Sequence, residues 1–231
     1  MRISIWGDEL NAWVMGAMLA QCGNQVQFES ELTEHESLTE PGLKQLISEQ
    51  IEVGNIATNS ESLLNSEIHI FSYTANNKEQ AFSAAEALGS HCDSPAVIIN
   101  QSNFGIGATE KILSLLSPEK GHRAAYIPDN LPQGKALDYL RNLSSLVVGC
   151  DDKDASMQIQ ALMRPFLSDA QKILFMSPQE AELAKFAVTG MLALRIGYIN
   201  ELANLADTLK IDIEPIPVSY THLTLPTNRE V

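Results

Sequence analysis

The sequence predicts an α/β fold: a doubly wound, mostly parallel sheet followed by one long C-terminal helix. Two observations carry that reading. A strand, a glycine turn, a helix, a glycine stop and a second strand follow one another between Ile3 and Phe28. Strands and helices then keep alternating as far as Met176, after which a single helical periodicity takes over.

The first unit is explicit. Ile3-Ser4-Ile5-Trp6 is a β-type run, Gly7 turns the chain, and apolar periodicity runs from Leu10 to Cys22. Gly23-Asn24 stops that helix and Val26-Gln27-Phe28 begins the second strand. Ile68 to Tyr73 and Ala96 to Ile99 are compact runs of β-branched and aromatic residues, as expected of strands covered on both faces. A helix is expected over about Asn77 to Leu88 and another over Gly107 to Leu116. Strands follow at Ala124 to Ile127, Leu146 to Gly149 and Ile173 to Met176, with a helix at Ala155 to Phe166. The glycine turn after the first strand favours the open, Rossmann-like form over a closed barrel.

From Pro178 to Leu209 apolar residues recur at helical spacing, and Ser177-Pro178 is a good cap and first turn. Leu183, Phe186, Met191, Leu192, Leu194 and Ile196 spread over more than one face, too much apolar surface for one sheet domain to cover. The expected division is a dinucleotide-binding domain over 1–177, a central helix over 178–213 and a tail over 214–231. Pro215-Ile216-Pro217 interrupts the pattern and the following residues fit no further element. A translated cloning read-through is favoured there over a natural flexible terminus.

Composition excludes several classes. The chain has 231 residues, 45% of them hydrophobic, enough for a sizeable core. Its 29 acidic against 15 basic side chains give a net charge of −14, which repels phosphate backbones, so no nucleic-acid partner is expected. Cys22, Cys92 and Cys150 form no CxxC pair, and His35, His69, His91, His122 and His222 are scattered, so neither a disulfide framework nor a metal site is expected. No segment has the length of a membrane span or the pattern of a signal peptide, which makes a cytoplasmic setting without a membrane partner the default.

Five motifs in order resemble those of the UDP-glucose/GDP-mannose 6-dehydrogenase family, from Met1 to about Ile213. They are the opening Met1 to Gly7 with Gly16 to Ala20 and Gly23 to Val26; Glu40-Pro41-Gly42-Leu43; and Ser102-Asn103-Phe104-Gly105-Ile106-Gly107. Pro128-Asp129-Asn130-Leu131 with Gly134-Lys135-Ala136, and Ala181-Glu182-Leu183-Ala184-Lys185 running on to Asn200-Glu201, complete the set. The resemblance implies NAD as cofactor, a nucleotide sugar (a UDP-sugar foremost) as substrate, and oxidation of the sugar C6 alcohol to a carboxylate. It also implies a homodimer paired through the 178–209 helix. That chemistry needs a thiol to trap the intermediate aldehyde. The family's thiol stands in a glycine-rich Cys-Pro-Lys-Asp segment that belongs beyond residue 213. Cys22, Cys92 and Cys150 have no such setting and are expected to pack against a helix, a loop and a strand end. The chain alone is therefore expected to be inactive. A family member that binds a nucleotide sugar or a partner without oxidising it is the rival expectation.

The resemblance also assigns residues. Gly7 stands at the first glycine of a GxGxxG fingerprint, Glu9 at the second, Leu10 next to it and Ala12 at the third. Glutamate at the second position adds bulk and like charge where the backbone should approach a pyrophosphate, so Glu9 is expected to satisfy the helix N-terminus itself and compete with NAD. The ribose-binding acid is expected near the end of the second strand, where Ser30 stands with Glu29 before it. Glu29 serves if the strand ends one residue early, and a solvated acidic loop over Glu29 to Glu36 is the alternative. Lys185 matches the family's catalytic lysine, which stabilises oxyanion character, and Thr189 stands four residues later in place of asparagine. Asp129 replaces a glutamate that positions or activates water, although a turn-forming Asp after Pro128 is as natural. Asn103 stands in place of a threonine.

Overall fold

A computed structural model of the chain describes residues 1–30, 39–57 and 63–213. The tail over 214–231 and most of the acidic stretch after Glu29 lie outside the described residues. The elements begin with β1 (Arg2–Trp6), α1 (Leu10–Gln21), β2 (Gln25–Phe28), α2 (Leu43–Val53), β3 (Ile56–Ala57), β4 (Ile68–Phe71), α3 (Lys78–His91) and β5 (Val97–Asn100). They continue with α4 (Ala108–Leu115), β6 (Arg123–Tyr126), α5 (Ala136–Arg141), β7 (Leu143–Gly149), α6 (Lys153–Met163), β8 (Leu167–Met176) and α7 (Pro178–Leu209).

The eight strands form one sheet in the order β3-β2-β1-β4-β5-β6-β7-β8. All pairings are parallel except β6 with β7, which meet antiparallel through Tyr126 and Gly149. The strand order reverses at β1, between β2 and β4. Ligands of open α/β sheets bind at such a switch point, outside the carboxyl ends of the strands. Every residue of β4 and β5 is buried, as expected of strands sandwiched between helices. Two apolar clusters cover the sheet: one packs Trp13, Leu19 and Ile159 around Ile3 and Ile5, the other packs Ala85 and Ile112 against Phe71 and Ile98. The doubly wound fold expected from the sequence is the fold observed.

Three elements escape the sequence reading. Helix α2 begins directly after the glycine of Glu40-Pro41-Gly42-Leu43 and buries Leu43, Leu46, Ile47 and Gln50 along one stripe. Strand β3 has two residues and α5 six, too short for any periodicity to register. Cys22, expected to pack, is exposed at the C-cap of α1, while Cys92 and Cys150 are buried.

Helix α7 starts on a capping box. The Ser177 N–H and hydroxyl donate to Glu180 Oε2 at 2.8 and 2.9 Å, and the Glu180 N–H donates back to Ser177 Oγ at 3.3 Å. The chain divides into compact units Met1–Leu183 and Ala184–Val231, so α7 starts in the first and belongs mainly to the second. Within the second, Phe186, Met191, Leu192, Leu194 and Ile196 are exposed, Leu194 to 71%.

Candidate functional site at the switch point

The turn after β1 is dictated by a close approach. Gly7 has φ of +94°, and a Cβ there would lie 2.3 Å from the carbonyl oxygen of Ser72. Only glycine lets the loop after β1 lie against the loop after β4. The Gly7 N–H donates to Glu29 Oε2 at 2.9 Å, and the Ser30 hydroxyl donates to the Gly7 carbonyl at 3.3 Å. Glu29 is the first residue past β2, so its carboxylate stands at the carboxyl edge of the sheet. The hydroxyl of Tyr73 also donates to Glu29 Oε2, at 2.9 Å. Burial first, and the Glu29 charge second, push the Tyr73 phenol far above its ordinary range, so the hydroxyl keeps its proton.

Glu9 is the N-cap residue of α1, with extended backbone, but its side chain makes no capping hydrogen bond. The expectation that it satisfies the helix N-terminus is therefore wrong. Glutamate is one methylene too long to fold back neatly onto its own N2 and N3 amides, which is why Asp, Asn and Ser dominate N-caps. Its carboxyl pKa is raised, chiefly by burial and then by Asp129 and Asp8. Leu10 packs against the core cluster and Ala12 is fully buried. Helix α1 approaches the sheet closely at Gly16, whose added Cβ would lie 2.3 Å from the Phe28 ring.

On the other side of the switch point, Asp129 follows β6 and accepts from Asn11 Nδ2 at 2.8 Å. Asn11 is buried in α1, so this bond ties the first helix to the loop after β6. Gln101, also buried, lines a cavity shared with Asn11, Asp129 and Leu131. Asn103 is exposed on the loop after β5. Among the described residues no group of three or more His, Cys, Asp or Glu is arranged to hold a metal.

Residues 1–167 match the NAD-binding domain model of the UDP-glucose/GDP-mannose dehydrogenase family, and residues 179–220 match its central domain. The chain belongs to this family. It is 26% identical over 241 residues to a UDP-glucose 6-dehydrogenase of Pseudomonas aeruginosa, covering 94% of this chain and 53% of that protein. A UDP-glucose 6-dehydrogenase of Bacillus subtilis is 25% identical over 239 residues with the same coverage. The chain thus spans about half the length of the curated relatives it matches. Among solved structures, a UDP-D-ManNAc dehydrogenase from Pyrococcus horikoshii has the same fold with a TM-score of 0.84 at 22% identity, covering 97% of this chain and 59% of that one. A UDP-glucose dehydrogenase from Pyrobaculum islandicum has a TM-score of 0.81 at 23% identity, over 93% and 55%.

For a member of this family, the residues fit the adenosine end of NAD. Glu29 presents a carboxylate just past the end of β2, where doubly wound folds offer an acid to ribose, and the start of α1 is not capped by the side chain of its own N-cap residue. Asp129 and Asp8 stand close enough to Glu9 to raise its pKa, so three carboxylates concentrate negative potential beside that helix start.

The family motifs prove to be partners. Glu40 is buried and accepts from the N–H groups of Gly134 and Ala136, both at 2.6 Å. Glu182 is buried and accepts from Gly107 N–H at 2.6 Å and Thr109 N–H at 2.8 Å. The Glu-Pro-Gly-Leu and Gly-x-Ala motifs are thus two halves of one contact at the start of α5. The Glu182 motif and the Gly107 loop are halves of another at the start of α4. Glu40, Glu182, Asn11 and Tyr73 carry these interactions, and none was singled out by sequence. Glu40 and Glu182 stand inside recognised motifs, but nothing in one chain pairs motifs some 73 to 96 residues apart.

Lys185 and Thr189 belong to the second unit, one turn apart on α7. Lys185 is half-buried and Thr189 exposed, and the Thr189 hydroxyl donates to the Lys185 carbonyl at 3.0 Å. That hydroxyl is spent on the backbone of its own helix.

Proposed function

We propose that the chain is the NAD⁺-binding half of a nucleotide-sugar 6-dehydrogenase acting on a UDP-sugar. The Gly7–Glu29 arrangement at the switch point carries this reading, because it sets a carboxylate beside an uncapped helix start. Gly7, Leu10, Ala12, Glu29 and Ser30 form the cofactor end of the site, with Glu9 opposing the diphosphate. When bound, NAD⁺ supplies the hydride acceptor for oxidation at the sugar C6. Lys185 steadies the developing oxyanion, Asp129 orients the hydrolytic water, and Asn103 and Thr189 are assigned hydrogen bonds to substrate or water. The exposed apolar residues of α7 support a homodimer through that helix, which sedimentation at increasing concentration checks: a monodisperse monomer counts against it. A cytoplasmic setting goes with this reading.

The carrying test is calorimetric titration of the chain with NAD⁺. Wild type is expected to bind, and Glu29→Ala to weaken binding by about tenfold or more, the loss of hydrogen bonds to a charged acceptor. Absence of NAD⁺ binding in both proteins overturns the reading.

A second reading is favoured by the crowding of Asp8, Glu9 and Asp129 and by the Thr189 hydroxyl bound to its own helix. In it, the whole protein binds a nucleotide sugar or a partner without oxidising it. The coding sequence downstream of Ile213 separates the two. A Gly-Gly-x-Cys-x-Pro-Lys-Asp-like segment favours the enzyme, and its absence the binding protein. In both readings the 231-residue chain alone produces no NADH from NAD⁺ and UDP-glucose. Production that survives replacement of Lys185 and all three cysteines contradicts both.

A further inference from the structure

We infer that Tyr73 is a built-in occupant of the ribose-binding carboxylate, and that a dinucleotide must displace its hydroxyl from Glu29 in order to bind fully. The inference rests on the cofactor reading above and adds a residue that decides how tightly the cofactor is held.

Tyr73 lies two residues past β4, on the loop that faces the β1 turn across the switch point. Its position is fixed from two sides. Its backbone N–H donates to Ser102 Oγ at 2.9 Å, and its ring stands edge-on to Phe71 with centroids 5.8 Å apart. The side chain is only 1% exposed, so its hydroxyl has to find a partner inside the protein, and that partner is Glu29 Oε2.

Glu29 Oε2 already receives the Gly7 N–H. A carboxylate oxygen offers about two lone-pair sites, so the two donors fill it. A ribose brings two neighbouring hydroxyls, and a carboxylate holds such a diol best with both of its oxygens. With Tyr73 in place only Oε1 remains to be shared. The phenol therefore stands in for one ribose hydroxyl and competes with it. A tyrosine that merely steadied Glu29 for the ribose would have the opposite effect on affinity, so the sign of a single measurement separates the two roles.

The substitution Tyr73→Phe keeps the ring and its packing and removes only the competing hydroxyl. Titration of wild type and Y73F with ADP, NAD⁺ and 2′,3′-dideoxy-ADP reads the effect. The expected result is that ADP and NAD⁺ bind about five- to tenfold tighter to Y73F, the exchange of one charge-assisted hydrogen bond for another. The dideoxy ligand, which lacks the hydroxyls in question, binds the two proteins alike. Equal or weaker binding of ADP and NAD⁺ by Y73F overturns the role of Tyr73 while the cofactor reading stands. Tightening that persists with the dideoxy ligand also overturns it, because the gain then has nothing to do with the ribose. If neither protein binds any of the three, both the inference and the cofactor reading fall.

Discussion

Glu40 and Glu182 on one side, and Glu9 on the other, place the same carboxylate beside a helix start with opposite results. Glu40 and Glu182 are buried, and each gathers two backbone N–H groups at 2.6 to 2.8 Å from the starts of α5 and α4. Glu9 sits directly on the first helix of the chain and gathers none. A carboxylate reaching in from a distant element approaches the helix dipole from outside, with its length an advantage. A carboxylate on the N-cap itself has to double back. The starts of α4 and α5 are thus closed by a carboxylate from a distant element, whereas the start of α1 is not closed by the carboxylate that stands on it.

The contrast breaks first under removal of the closing groups. Glu182→Ala and Glu40→Ala each strand one buried N–H donor (Thr109 or Ala136) and a second, less buried one (Gly107 or Gly134), at a cost of about 3 kcal/mol. For a domain of this size that lowers Tm by roughly 6–12 °C, measurable by circular dichroism. Glutamine retains one acceptor oxygen and is expected to lose about half as much. A loss under about 1 kcal/mol for either alanine variant would mean that these contacts are incidental, and the distinction from Glu9 would collapse.

At the open helix start the effect is smaller and has the other sign. Glu9→Gly removes bulk and one of three neighbouring carboxylates, and is expected to tighten NAD⁺ binding several-fold, about 1 kcal/mol. Because the opposing term is like-charge repulsion, the gap between the two proteins should narrow in high salt. Unchanged affinity at low salt places the Glu9 side chain away from the phosphates.

The sheet was legible because glycine turns and buried β-branched runs are local signals. The helix after Gly42 was not, since its buried stripe is short and closes on a polar residue, Gln50. The site was legible only in part. Whether Glu29 serves the site or only opens a solvated acidic loop is not legible in the sequence, because the register of a strand end cannot be read to one residue; β2 closes at Phe28, and Glu29 stands first beyond it. Glu9 is the N-cap of the first helix, but its side chain makes no capping bond there. Asn11 with Asp129, 118 residues apart, and Tyr73 with Glu29, 44 apart, exist only through the tertiary fold. One chain without its fold has no way to announce them.

The smallest expected effect tests whether Glu9 is a burden to the folded chain. Burial, Asp129 and Asp8 raise its pKa in the folded state above the unfolded value of about 4.3. The folded chain therefore holds this proton more tightly than the unfolded chain does. Below the unfolded value both states are protonated and the group contributes nothing. As pH rises through the raised folded value the unfolded chain ionises more freely, and the native state is disfavoured. Glu9→Gln removes that term. Since the side chain is half exposed, solvent screening holds the gain to about 0.5 kcal/mol at pH 7, falling towards zero near pH 3.5. Urea unfolding of both proteins at the two pH values reads the difference, and the other titrating groups cancel in the comparison. A gain that is equal at both pH values would assign it to packing, and a loss at pH 7 would show that Glu9, like Glu40 and Glu182, holds a partner the folded chain needs.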